Sequence, residues 1–126
     1  MLANGIGDGT GITEADTSSV TNLNTWFKDN TSITSFDELQ KFTGLTEIAS
    51  NAFNGCTNLG SISFPATVTK INGNAFENCK NISIDFSKTN IATIAGNAFK
   101  NSSGTITNLQ NVSKFETYAF SSSTAL

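Results

Sequence analysis

The chain has 126 residues and no histidine or arginine; only 13% of its residues are charged, and the net charge is −3. That balance argues against nucleic-acid binding, which needs a basic stripe to displace counterions. It also removes the commonest general base and metal ligand. No apolar run is long enough to span a bilayer and no basic amphipathic face is present, so membrane insertion is not expected. At this length one domain is expected, large enough to bury most of its apolar surface.

In chain order, residues 1–12 are rich in glycine and predict a turn-rich start with no signal-peptide leader. The string from Gly7 to Asp16 partly matches a calcium loop. If Gly9 takes the turn position, however, the ligand positions fall on Asn4, Ile6 and Ala15, so no metal site is expected. Thr13 followed by Glu14 and Asp16 predicts a helix start, with Val20, Leu23 and Phe27 at helical spacing. The lone Trp26 reads either as a ligand platform or as a lid on an open first coil. Ser35, Phe36, Asp37 and Glu38 have capping-box spacing, and Phe36, Leu39 and Phe42 predict a second short helix that Gly44 ends. Residues 1–44 are thus expected to form a small helical N-terminal cap.

From residue 45 the chain repeats. The stretch Ile48–Cys56 returns at Ile71–Cys79 and at Ile94–Ser102, and in worn form at Phe115–Ser123. Its phenylalanines fall at Phe53, Phe76, Phe99 and Phe120, two equal steps followed by a slightly shorter one. A fixed period in the twenties means a solenoid, because each unit is too small to bury its apolar face without a neighbour. Leu59, Val68 and Ile71 recur one full period later as Ile82, Ile91 and Ile94, whereas Ile84 and Phe86 sit one place out of step with Ile62 and Phe64. Leu59, Ile62 and Phe64 predict one short strand per unit, stacked into a parallel sheet and closed by Pro65. The segment from Ile71 to Phe76 predicts a short strand and a single helical turn on the opposite wall.

These residues, in the order L-x-x-I-x-F-P-x-x-V-x-x-I-x-x-x-A-F-x-x-C, resemble the BspA-like leucine-rich repeats over about residues 42–126. The resemblance implies an α/β repeat solenoid of leucine-rich-repeat type, used for adhesion or protein binding without catalysis. By the same resemblance it implies a bacterial cell-surface, secreted or phage-associated setting. Departures are Ser102 and Ser122 or Ser123 in place of the repeat cysteine, and Phe115 and Tyr118 in the last unit.

Residues 45–126 make about three and a half coils, with no polar closing unit. Leu126 stands as far beyond Phe120 as Leu59 stands beyond Phe53, so an apolar edge is expected where another strand would begin. Self-association there, as in a virion component or a surface array, is one expected role. The other is a binding module for a protein or glycan, on whose strand face Ser61, Ser63, Ser83, Asp85, Thr107 and Asn108 point outward. Cys56 and Cys79 occupy the same place in consecutive units and read either as an inter-coil disulfide or as free buried thiols. Carboxylates are scattered, and no nucleophile elbow or phosphate loop occurs, so neither an enzyme nor a cofactor is expected.

Overall fold

The computed structural model describes residues 19–125. It forms two parallel sheets of four short strands each. The first contains β1 (Ser35–Phe36), β3 (Ser61–Ile62), β5 (Ile82–Asp85) and β7 (Gly104–Thr107) in that order. The second contains β2 (Glu47–Ile48), β4 (Lys70–Ile71), β6 (Thr93–Ile94) and β8 (Lys114–Phe115). Each coil therefore gives one strand to each sheet and ends in a phenylalanine turn. Strand register is strict: Ser35, Ser61, Ser83 and Thr105 align across the first sheet, and Ile48, Ile71, Ile94 and Phe115 across the second.

Phenylalanine fills the space between the walls. The rings of Phe53, Phe76, Phe99 and Phe120 stack at 5.1–5.2 Å between centroids. Phe27 extends the column at 5.7 Å from Phe53. Offset aromatic pairs of this kind contribute about 0.5–1.5 kcal/mol each beyond area burial. A second row of rings meets the column edge-on, with Phe64 against Phe76 and Phe86 against Phe99.

The small alanine beside each phenylalanine allows a third ladder. The N–H of Phe53 donates to the carbonyl of Ala75 at 2.7 Å, Phe76 to Ala98 at 2.7 Å, and Phe99 to Ala119 at 2.8 Å. Left-handed residues flank each turn and aim these peptides along the solenoid axis. Asn51, Asn74, Asn97 and Tyr118 stand just before the phenylalanine–alanine pair; Gly55, Asn78, Asn101 and Ser122 stand just after it, all at positive φ. Asparagine tolerates this region better than other L-residues, which accounts for its recurrence at these sites.

Other asparagines cap the corners between coils. The amides of Asn58, Asn81, Asn72 and Asn90 donate to carbonyls one coil back, at Thr31, Thr57, Ile48 and Ala66. Among the described residues no buried side-chain nitrogen or oxygen lacks a partner.

The N-terminal segment differs from the expected helical cap. The start of the first expected helix, at Thr13, lies outside the described residues, and so does the glycine-rich segment before it. Residues 24–29 form a turn in which Phe27 is buried and Trp26 packs half-buried against the core. The second expected helix is instead β1 followed by a 3-10 helix, Asp37–Lys41, and Ser35 makes no capping bond to it. The spacing of Phe36, Leu39 and Phe42 places all three inside the core, as a helix would. Strand pairing between Ser35 and Ser61 overrides the local helix signal. The expected helical turn after β4 is likewise a hydrogen-bonded turn between two left-handed asparagines, Asn74 and Asn78.

Candidate functional site

The outward face of the first sheet collects the polar side chains singled out in the sequence. Ser61 and Ser83 stand in register between Ser35 and Thr105, all four exposed. Asp85 aligns with Thr107 on the adjoining strand. Asn108 follows β7 in a left-handed conformation, and its amide donates to Asp85 Oδ1 at 2.8 Å. The same oxygen accepts the Ser87 backbone N–H at 3.0 Å and the Ser87 hydroxyl at 2.6 Å. These hydrogen bonds, the Ser87 hydroxyl foremost, hold the Asp85 carboxyl below its ordinary pKa of 3.8. Ser61 and Ser63 both donate to Asp37 Oδ1, at 2.7 and 3.1 Å.

A recess of about 290 Å³ opens on this face. Three of the six expected residues, Ser63, Ser83 and Asp85, line it together with Gln40, Lys88 and Thr89; Ile62, Phe64 and Ile84 supply apolar wall. Ser61, Thr107 and Asn108 lie outside its lining. The recess arises from unequal path lengths between the two sheets. The chain crosses from Ser35 to Ile48 in the first coil and from Ser83 to Ile94 in the third, and both paths are longer than the one from Ser61 to Ile71 between them. The longer neighbours carry the 3-10 helices Asp37–Lys41 and Phe86–Lys88, while the second coil cuts short through the turn at Pro65. Gln40 and Lys88 therefore stand above it on either side. The only sequence signal for them is this difference in spacing.

Cys56 and Cys79 are free and buried. Each thiol donates to the phenylalanine carbonyl one coil back, Cys56 to Phe27 at 2.9 Å and Cys79 to Phe53 at 3.2 Å. Ser102 and Ser123 continue the row, their hydroxyls 3.1 Å apart, which identifies Ser123 rather than Ser122 as the cysteine equivalent. Burial pushes the thiol pKa of Cys56 from 9.0 up to about 11, and burial with the nearby Cys56 pushes that of Cys79 to about 12. Both thiols are therefore expected to resist a disulfide reagent at pH 8 in the folded protein and to react fully in denaturant. Their folded values lie above the unfolded one. Their contribution to stability is thus complete below pH 9 and declines as pH rises from 9 toward about 11 for Cys56 and about 12 for Cys79, a loss that Cys56→Ser with Cys79→Ser should remove from the alkaline melting profile.

Among the described residues no cluster of three or more histidine, cysteine or acidic side chains could hold a metal ion. Nor is any described helix long and apolar enough to cross a membrane.

Two parallel sheets of short strands around a phenylalanine column fit a repeat solenoid of leucine-rich-repeat type. The family model for the BspA-type leucine-rich repeat region matches residues 17–126 in six copies, and the chain belongs to that family. The match begins upstream of β1, in keeping with the place of Phe27 in the ring column. Repeats of this type generally mediate protein binding or adhesion. No curated protein and no solved structure matches the chain.

Proposed function

We propose that this chain is a non-catalytic binding module, displayed at a cell or particle surface, whose first sheet presents its outward face to a protein or glycan. The observation that carries this reading is the exposed row of small hydroxyl side chains, Ser35, Ser61, Ser83 and Thr105, held in register on paired backbone. Such a row offers donors and acceptors with little side-chain entropy to lose, and its near-neutral character suits weak contacts made strong by multiple copies. Beads coated with the chain and passed over immobilised purified extracellular proteins and glycans are expected to be retained on at least one of them. Ser61→Arg with Thr105→Arg should lower that retention at least about tenfold, since bulk and charge spoil a complementary face. Thr46→Arg, beside the second sheet, should leave it unchanged. Equal retention of both variants would remove the first sheet from the binding surface.

A second reading, assembly through the fourth coil, is favoured by Phe115 and Tyr118, which among the described residues are the large apolar side chains most exposed to solvent, at 46% and 69%. Packing the open edge of β8 and the turn that follows it against another molecule would cover both. Light scattering over a concentration series is expected to show a defined oligomer that Phe115→Ser with Tyr118→Ser converts to monomer. A wild-type monomer at every concentration would exclude this reading.

A further inference from the structure

We propose that the recess over the second coil is a subsite for one sugar residue of a glycan, a proposal that rests on the binding-face reading above. Its wall is apolar and its rim is polar, with both signs of charge. Ile62, Phe64 and Ile84 offer carbon surface, while Gln40, Ser83, Asp85 and Lys88 surround it. These rim groups have hydrogen-bonding capacity to spare. Asp85 takes its three protein donors on Oδ1, leaving Oδ2 as an acceptor. Among the described residues Gln40 and Lys88 make no side-chain hydrogen bond or ion pair, and the Ser83 hydroxyl has no partner.

Ligand classes separate on this arrangement. An apolar molecule would strip water from four polar groups without replacing it, which is costly. A phosphate or other compact anion would face the Asp85 carboxylate, and a metal ion would face the Lys88 ammonium with too few acidic ligands around it. A pyranose ring satisfies both features at once. Its C–H face lies on carbon, and its hydroxyls donate to Asp85 Oδ2 and accept from Lys88, with Gln40 and Ser83 able to do either. The volume of about 290 Å³ sits at the lower end of ligand pockets and has room for a single ring. Affinity for a free monosaccharide should be weak, with Kd on the order of a millimolar, and useful through many copies.

The site is also preorganised. Ser87 and Asn108 fix the Asp85 carboxylate, and the two 3-10 helices fix the backbone of Gln40 and Lys88. The ordering left for the ligand to impose is that of the Gln40 and Lys88 side chains.

The test is titration of the isotope-labelled chain by amide NMR with glucose, galactose, mannose, N-acetylglucosamine and glucuronate, each as the free sugar. At least one is expected to shift the amides of Gln40 and of residues 83–89, leaving those of residues 47–48 and 70–72 unmoved. Asp85→Asn with Lys88→Met should weaken that sugar at least about tenfold, the scale expected on losing a charged hydrogen bond, with an unchanged melting temperature showing an intact fold. Ser83→Trp, which fills the recess from its rim, should abolish it. Three results would overturn the proposal: no shifts with any sugar at tens of millimolar, shifts that persist in both variants, or shifts from a charged peptide and from no sugar. If bead retention still depends on Ser61 and Thr105 in any of those cases, the binding-face reading stands and only the sugar subsite falls.

Discussion

Phe76→Ala is expected to destabilise the protein by about 3–5 kcal/mol, the range for deleting a buried aromatic side chain. Phe76 is fully buried, stacked 5.2 Å from Phe53 and 5.1 Å from Phe99, and met edge-on by Phe64. Its removal leaves a cavity in the middle of the column with rings on both sides, so neither half of the solenoid can collapse into it without breaking the ladders from Phe53 to Ala75 and from Phe76 to Ala98. Phe120→Ala, at the fourth coil, removes a half-buried ring stacked on one side and should cost about 1–2 kcal/mol. Denaturant melts of the two variants check the ordering. Similar losses at both positions would mean that cohesion lies in the ladders rather than in the column. In a repeat array that broken middle interface can also uncouple its neighbours, so the Phe76→Ala transition is expected to broaden as well as shift.

Gly104→Ala is expected to cost about 3 kcal/mol, the upper end for a forced left-handed residue, because strain and a backbone clash act together. Gly104 opens β7 at φ +127, and a Cβ there would overlap the carbonyl oxygen of Ile82 and lie 2.8 Å from its nitrogen and 2.9 Å from the carbonyl carbon of Asn81. None of those atoms is the movable end of a side chain. Gly60 is the control: it precedes β3 in the same sheet, and its added Cβ would meet the carbonyl oxygens of Thr34 and Asn81 at 3.5 and 3.6 Å, ordinary contact distances. Gly60→Ala should therefore change stability by less than about 1 kcal/mol. If both variants melt alike, the close approach of β7 to β5 is not needed for the stack. Loss confined to Gly104→Ala would instead show that the fourth coil depends on backbone contact only glycine permits.

The features visible in the sequence are those set by side chains that recur with the coil. The phenylalanine column, its small alanine neighbour and the buried thiols stand at fixed offsets because each makes the same contact to the adjacent coil. The first member of the column is harder to see. Phe27 precedes Phe53 by slightly more than the regular period, and Trp26 replaces the alanine, so that turn reads as part of a helix. The same ambiguity touches Phe36, Leu39 and Phe42, since a spacing of three serves a 3-10 helix leaving a strand as well as an α-helix. The row at Ser61 and Ser83 follows from strand alternation; Gln40 and Lys88 do not, because they flank a recess rather than share a repeat position.

The period, the family, the ring column and the outward residues of the first sheet are legible in the amino-acid order alone, since all four are read from one coil and copied to the next. Three features emerge only when the coils are packed: the segment before residue 45 joins the first sheet, the second wall is also a parallel sheet, and a recess opens over the second coil. The first and last of these depend on how one coil differs from its neighbours. Pairing partners outweigh local propensity in two-residue strands, and a cavity is a difference in path length between adjacent turns of chain, which no single repeat contains.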